Sequence, residues 1–368
     1  MKFSPVLKAA VISGIAALAL TSCAANESGP AASDGSTEGA SSSLSGNLVG
    51  AGASSQDAAQ QAWIAGFQTD NADVTIDYDP SGSGAGRETF QQGASAFAGS
   101  DRAFKAEELT AGPFQGCAAG SGVVELPLYI SPIAVIFNLD GIDSLNLDAA
   151  TVAKIFSGEI TTWNDPAIAE QNADAKLPDQ AINPVHRSDK SGTTGNFTEY
   201  LGAAASAEWT HGSVEEWPIQ GGEAAQGTSG LVDAVTNGVG TIGYADASRA
   251  GDLGTVNIKV GDEYVGYTPE AAAAIIDKSP LAEGRGANDL AIEIDRTSTE
   301  AGVYPIVLVS YLIGCEEYAE PKTAELVKSY FGYMASEAGQ QVAAEASGSA
   351  PISADLRTKI DAAIAAIK

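Results

Sequence analysis

The chain has 368 residues, with 47 acidic against 19 basic side chains and a formal net charge of −28 at pH 7. So acidic a surface is a poor match for nucleic acid, and we expect no nucleic-acid partner. Two histidines and three cysteines, with no cluster at metal-ligand spacing, predict neither a metal site nor a cofactor. The length suffices for two domains of ordinary size.

The N-terminus has the pattern of an export signal. Two lysines flank the start of an apolar run over residues 9–20, which is too short for a transmembrane anchor. Cys23 follows Leu-Thr-Ser, which resembles a bacterial lipobox, whose cysteine is lipidated; an ordinary signal peptide with an incidental cysteine is the alternative. We therefore predict a lipoprotein signal peptide over residues 1–22 and a flexible tether over residues 23–45, with the protein extracytoplasmic and lipid-anchored to the cell membrane.

Export also bears on the two remaining cysteines. With Cys23 assigned to the lipid, Cys117 and Cys315 are an even pair in an oxidising compartment. This arithmetic predicts a disulfide between them, and two separate buried thiols are the alternative.

Three stretches share the order strand, Gly/Ser-rich turn, helix start. The first runs through residues 50–55, the second through residues 79–87 and the third through residues 186–197. A helix N-terminus presents unpaired N–H groups and a partial positive charge, which suit an anion. Glycine-rich turns are weak signals singly, but three of them together favour an oxyanion-binding site.

The third stretch is the richest in donors. Arg187 supplies a forked cation, Ser191 and Thr193 supply hydroxyl groups, and Gly192 lets the backbone come close to a ligand. The sequence thus predicts half of an oxyanion cradle. The alternative for this stretch alone is an N-capped surface helix after a strand.

Strands and helices alternate along the rest of the chain. Asp101 lies at the tip of a short predicted strand that begins at Phe97. The apolar residues 123–139 are interrupted by Pro127 and Pro132, which predicts two buried strands. The alternation predicts α/β layers with mostly parallel pairing and a ligand site at the carboxyl ends of the strands.

Six motifs, in order and at family-like spacing, resemble the phosphate-binding proteins of high-affinity ABC phosphate importers, the PstS family. They are Gly50-Ala51-Gly52-Ala53-Ser54, Ser81-Gly82-Ser83-Gly84, Gly99-Ser100-Asp101, Ile155-Phe156-Ser157-Gly158-Glu159-Ile160 with Thr162-Trp163-Asn164-Asp165, Arg187 to Thr194, and Gly240-Thr241-Ile242-Gly243-Tyr244. The resemblance covers nearly all of residues 46–368.

The resemblance implies a two-lobed, periplasmic-binding-protein-like (type II) α/β fold. Two crossover strands would join the lobes, with the ligand cleft between them. We expect lobe 1 to combine residues 46–130 with residues 304–368, and lobe 2 to span residues 131–303.

The resemblance also implies the ligand set, position by position. The expected phosphate ligands are Ser54, Ser55 through its backbone N–H, Ser83, Asp101, Arg187, Ser191, Gly192 through its backbone N–H, and Thr193. The chain departs from the family where Ser54-Ser55 replaces Thr-Phe, and in the second turn, where Ser81 could share or take over the role of Ser83.

The function implied is capture of inorganic phosphate and delivery to the membrane subunits of an ABC importer, by a monomer that is not an enzyme. Asp101 would accept a phosphate proton, whereas sulfate has none to give. The alternatives are a binder of another oxyanion such as sulfate or molybdate, a secreted phosphate-releasing hydrolase, and a lipid-anchored adhesin. No histidine is placed to activate a serine nucleophile, which disfavours the hydrolase.

Overall fold

A computed structural model describes residues 44–368 of the chain. The predicted signal peptide, the predicted lipidation at Cys23 and all but the last two residues of the predicted tether lie outside the described residues. Within the part described, no helix is both long enough and apolar enough to cross a membrane.

Strands and helices alternate along much of the described chain, as predicted. The strands are β1 (Gly46–Gly52), β2 (Val74–Asp79), β3 (Phe97–Ser100), β4 (Val123–Asn138), β5 (Ser144–Leu147), β6 (Asn183–Arg187), β7 (Glu223–Ala225), β8 (Thr241–Asp246), β9 (Gly254–Val260), β10 (Glu263–Val265) and β11 (Val307–Cys315). The helices are α1 (Asp57–Asp70), α2 (Ser83–Gln91), α3 (Ala106–Ala111), α4 (Ala149–Ser157), α5 (Pro166–Ala169), α6 (Gly192–Ala204), α7 (Gly227–Asn237), α8 (Pro269–Lys278), α9 (Pro321–Ala335), α10 (Glu337–Ser347) and α11 (Ala354–Ala366). Two short 3₁₀ helices span Ser54–Gln56 and Ala247–Arg249. The alternation is broken where β4–β5 and β9–β10 follow one another without a helix between them, and where α4–α5 and α9–α11 follow one another without a strand.

The strands join into one sheet. Its order is β2-β1-β3-β11-β4-β8-β6-β7, and β9 pairs with β4, β5 and β10 beside this path. The prediction of mostly parallel pairing is wrong, because five of the ten strand pairings are antiparallel. Four of those five involve β4 or β11, which cross the middle of the sheet.

β4 is one continuous strand, not the two that its prolines suggested. Its first part, up to Pro132, pairs with β11, and its last six residues, from Ile133 onward, pair with β8. Pro127 lies opposite Tyr311, beside an irregularity in the register at Ser310. A proline lacks only its own N–H, so it is tolerated at such an irregularity and at the point where the pairing partner changes.

Apolar side chains from both ends of the described chain form one buried core. β4 and β11 are buried along almost their whole length, which makes them the centre of this core. Cys117 and Cys315 are joined by a disulfide with their Cα atoms 5.4 Å apart, as predicted. This crosslink ties the end of β11 to the segment that precedes β4.

The first parallel strands place polar turns at a common edge. β1 pairs with both β2 and β3 in parallel, so all three end on the same side of the sheet. Gly52 ends β1 with a φ of +142°, and a Cβ atom there would lie 1.9 Å from the carbonyl oxygen of Gly99. Only glycine permits this close approach of β1 to β3, which brings Ser54 and Ser55 towards Asp101.

Candidate functional site

The Asp101 carboxylate is the acceptor at the centre of the site. It directly follows β3 and is 3% exposed. Its Oδ1 accepts hydrogen bonds from the hydroxyls of Ser55 at 2.6 Å and Ser310 at 2.7 Å, and its Oδ2 accepts from Thr193 at 2.9 Å. Burial raises the pKa of Asp101, while these three hydroxyls and the charge of Arg187 act in the opposite direction.

Arg187 supplies the positive charge. It ends β6 and is 3% exposed, and its Nε donates to Asp189 Oδ1 at 2.7 Å. One terminal nitrogen also donates to Ser54 Oγ at 3.1 Å. Burial alone would raise the pKa of Asp189, but the hydrogen bonds and charge of Arg187 lower it. The pair holds the guanidinium plane rigid, as recognition of an oxyanion requires.

The N-terminus of α6 closes one side of the site. Ser191 is the N-cap, and its hydroxyl accepts from the backbone N–H of Thr194 at 3.2 Å. A Cβ atom on Gly192 would lie 2.5 Å from Ser83 Oγ and 2.7 Å from Asp101 Cβ. Glycine at position 192 therefore lets the positive end of α6 approach Ser83 and Asp101 directly.

The structure distinguishes Ser83 from Ser81, the two serines that the sequence left open as the ligand in the second turn. Ser83 is 1% exposed at the start of α2, and its hydroxyl accepts from the backbone N–H of Asp101 at 3.1 Å. The hydroxyl of Ser81 instead donates to the carbonyl oxygen of Asp79 at 3.4 Å. Ser83 thus belongs to the Asp101 cluster, which favours it as the ligand.

All eight predicted ligand positions meet in one place. Ser54, Ser55, Ser83 and Asp101 come from the segment between β1 and β4, whereas Arg187, Ser191, Gly192 and Thr193 come from the turn between β6 and α6. The two groups touch through Thr193 with Asp101 and through Arg187 with Ser54. Binding of a ligand by these residues remains a prediction. Among residues 44–368, no group of three or more His, Cys, Asp or Glu could hold a metal ion.

Sequence reasoning missed several partners of these residues. Thr228, at the start of α7, donates its backbone N–H to Ser54 Oγ at 3.1 Å, and the two hydroxyls lie 3.0 Å apart. Asn196 donates from its side chain to the carbonyl oxygen of Asp101 at 2.6 Å. Ser310 is the one with a local signal, since a serine interrupts the aliphatic and aromatic residues of β11.

The comparisons with known proteins agree with this geometry. A family model described as a PBP superfamily domain matches residues 36–338. The chain is 35% identical over 326 residues to the phosphate-binding protein PstS 3 of Mycobacterium tuberculosis, covering 87% of this chain and 86% of that protein. The chain belongs to the PstS family. Another PstS relative, phosphate-binding protein PstS 2 of the same organism, is 32% identical and covers all of both chains.

Solved structures place the fold among the same proteins. A high-affinity periplasmic phosphate-binding protein, PfluDING, bound with phosphate, matches with a TM-score of 0.67 and 22% identity over 86% of this chain and 93% of that one. A phosphate-binding protein from Stenotrophomonas maltophilia matches with a TM-score of 0.62 and 20% identity over 86% and 93%. These likenesses confirm the predicted periplasmic-binding-protein-like fold. The PstS relatives are named as binding proteins rather than enzymes, in line with the prediction.

Proposed function

We propose that this PstS-family protein captures inorganic phosphate between the Asp101 and Arg187 groups of residues and delivers it to an ABC importer. One observation carries the proposal: a buried carboxylate lies within a ring of hydroxyl donors and beside a buried arginine. Donors and the guanidinium suit any oxyanion. The carboxylate suits only an anion that brings a proton with it.

The discrimination between phosphate and sulfate follows from that proton. Phosphate near neutral pH keeps at least one proton, which Asp101 can accept, whereas a sulfate oxygen would face the carboxylate with like charge. In a site from which water is excluded, such a contact costs several kcal/mol. This argues for phosphate over sulfate or molybdate as the ligand.

The arrangement of the sheet supports capture between two lobes. β4 changes its pairing partner from β11 to β8 at Pro132 and Ile133. We place the boundary between the lobes near this point. Lobe 1 would combine residues 46–130 with residues 304–368, and lobe 2 would span residues 131–303. The two groups of site residues fall on opposite sides of that boundary. We propose that the lobes close over the ligand by a hinge motion through β4 and the segment before β11.

Anchoring through Cys23 completes the proposal. The lipobox-like sequence would attach the mature chain to the membrane surface, and the tether up to residue 45 would let the folded part reach the importer as a monomer. Replacing Cys23 by alanine tests the anchor, because the variant should move from the membrane fraction to the soluble extracellular fraction. Retention in the membrane fraction would assign the attachment to another feature.

Titration calorimetry of residues 24–368 tests the binding function. The protein is first freed of bound ligand by partial unfolding, dialysis and refolding, and is then titrated with phosphate and separately with sulfate. We expect saturable one-to-one binding of phosphate with a Kd of about 1 μM or tighter, or roughly −8 kcal/mol, and no heat from sulfate. The absence of any binding heat with phosphate, or tighter binding of sulfate than of phosphate, would overturn the proposal.

A further inference from the structure

Behind Asp101, a continuous line of buried hydrogen bonds runs away from the ligand side of the site. Ser310 Oγ donates to Asp101 Oδ1 at 2.7 Å and accepts from Gln56 Nε2 at 2.6 Å. Gln56 Oε1 in turn accepts from Gln60 Nε2 at 2.7 Å, and Gln60 Oε1 accepts from the hydroxyl of Tyr330 at 2.9 Å. The four residues behind Asp101 are each shielded completely from solvent.

Every bond in this line points the same way, from Tyr330 towards Asp101. A reversed line would make Ser310 donate to Gln56, and no hydroxyl proton would then remain for the 2.7 Å contact with Asp101 Oδ1. That contact would require a proton on Asp101 itself. The direction of the line and the ionised state of Asp101 therefore belong together, and each stabilises the other through charge-assisted bonds.

The line is built within one side of the proposed cleft. Gln56 ends the 3₁₀ helix that precedes α1, and Gln60 lies in the first turns of α1. Ser310 lies in β11 and Tyr330 lies in α9. All four fall within the residues assigned to lobe 1. Of the three hydroxyls on Asp101, only that of Thr193 comes from the opposite side. Opening of the cleft would remove the bond from Thr193 but would leave Ser310 and Gln56 in place.

We propose that Ser310 and Gln56 are positioning residues that hold the Asp101 carboxylate ionised and fixed in orientation, ready to accept the proton of a hydrogen phosphate. The inference rests on the proposed function, since it assigns how that site selects its ligand. A buried carboxylate without such donors would take up a proton at higher pH, and a protonated Asp101 can no longer accept one from phosphate. Ser310, oriented by Gln56, thus contributes to the pH range over which phosphate is preferred, together with Ser55, Thr193 and Arg187.

Two variants and a matched control test the role. Ser310→Ala removes the donor, and Gln56→Met removes the group that orients the Ser310 hydroxyl while keeping a side chain of similar length. Ser347→Ala is the control, because Ser347 is also buried but its hydroxyl donates to the carbonyl oxygen of Ala343 in α10. Ser310→Thr keeps the hydroxyl and should preserve binding.

Phosphate affinity against pH is the first measurement. We expect Ser310→Ala to bind phosphate roughly tenfold more weakly at pH 7, and to lose affinity at a higher pH than the unmodified protein as the solution is acidified. Gln56→Met should show a smaller change in the same direction, and Ser347→Ala should show none. An unchanged affinity and pH profile in Ser310→Ala, with only a lower melting temperature, would show a purely structural role and overturn the inference.

The carboxyl of Asp101 can also be followed without any ligand. In protein labelled with carbon-13 at aspartate carboxyls, the Asp101 signal is assigned by its absence in Asp101→Asn, and its titration midpoint is compared between the unmodified protein and Ser310→Ala. We expect the midpoint to move to higher pH in Ser310→Ala, and an unmoved midpoint would refute the inference. Because this readout needs no phosphate, failure of the unmodified protein to bind phosphate would count against the proposed function separately.

Discussion

Arg87 on α2 binds both carboxylate oxygens of Glu215, which lies 128 residues further along the chain, at 2.8 and 2.6 Å. Arg102 donates to the same carboxylate at 2.9 Å, and the Glu215 carbonyl oxygen accepts from the backbone N–H of Ser191 at 3.0 Å. Arg87 is 2% exposed. The ion pair therefore links the turn that carries Ser83 to the turn that carries Ser191, beside the proposed phosphate site.

Glu215→Gln should weaken phosphate binding by about tenfold, or about 1.4 kcal/mol. The reason is that the pair joins segments on opposite sides of the proposed cleft, so it stabilises the closed form that holds the ligand. Calorimetry on the variant measures the change. The control is Glu216→Gln, which removes the same charge from the exposed neighbouring position and should leave the affinity unchanged. Equal effects of the two substitutions would attribute the change to overall charge instead.

The same pair predicts a dependence on pH. Burial alone would raise the pKa of Glu215, but the charges and hydrogen bonds of Arg87 and Arg102 lower it below its ordinary value. A carboxylate with a lowered pKa stabilises the folded, closed form above its ordinary pKa, and this contribution is lost as the pH falls through the lowered pKa. The affinity difference between the unmodified protein and Glu215→Gln should therefore persist at neutral pH and shrink in acid.

The parts of the site that the sequence predicted are local ones. A strand, a small-residue turn and a helix start lie within about a dozen consecutive residues, so the cradles at Ser54, Ser83 and Ser191 could be recognised without knowing the fold. Asp101 is visible locally only as an aspartate at the end of a short strand, and its expected role as a ligand came from the resemblance to the PstS family. The contacts of Glu215 with Arg87 and of Ser310 with Asp101 could not be found so, because the partners lie more than a hundred residues apart and meet only through the fold.

The wrong prediction of two strands in place of β4 has the same origin. Its prolines interrupt a strand pattern when the chain is considered alone, yet the fold places Pro132 where the strand changes partners and Pro127 beside a register irregularity. The sheet is mixed because β4 and β11 run antiparallel to each other and to their neighbours β8 and β3. No local pattern records which strand a segment will pair with.

Arg187→Ala should lower phosphate affinity by at least about a hundredfold, because the buried guanidinium that Asp189 and Ser54 hold in the site is lost. Arg187→Lys keeps the positive charge but lacks the forked guanidinium. Its phosphate affinity should therefore lie between that of Arg187→Ala and that of the unmodified protein. Arg249→Ala, at an exposed position, is the control for loss of a positive charge. Calorimetry together with thermal unfolding separates lost binding from lost folding. Full affinity in a folded Arg187→Ala protein would exclude Arg187 from the site.

Asp101→Asn should narrow the gap between phosphate and sulfate affinities by about tenfold or more. The amide removes the repulsion of a sulfate oxygen and also the best acceptor for the phosphate proton. Competition of each anion against the other, measured by calorimetry, gives the ratio directly. Asp79→Asn is the matched control, because Asp79 ends the neighbouring β2 and is exposed. If the ratio stayed the same in Asp101→Asn, selectivity would have to come from the hydroxyl and backbone donors alone.

Because of Asp246, at the end of β8, the free energy of unfolding should decrease as the pH rises from about 4 to about 6. Asp246 is completely buried, accepts from the hydroxyl of Tyr129 at 3.0 Å, and pairs in register with Ile133, where β4 changes partners. Burial raises the pKa of Asp246 to about 6, although hydrogen bonds from Ser248 and others oppose this. As the pH rises, the unfolded chain loses this proton near pH 4 while the folded protein still holds it, so the free energy of unfolding falls by roughly 3 kcal/mol across the interval.

Urea unfolding of Asp246→Asn and of the unmodified protein at pH 4, 5 and 7 checks this contribution. Asparagine cannot titrate, so the stability of the variant relative to the unmodified protein should rise with pH over this range. Asp252→Asn, at an exposed position nearby in the chain, should track the unmodified protein at every pH. Parallel pH profiles for Asp246→Asn and the unmodified protein would mean that Asp246 is ionised throughout, held charged by the Tyr129 and Ser248 donors.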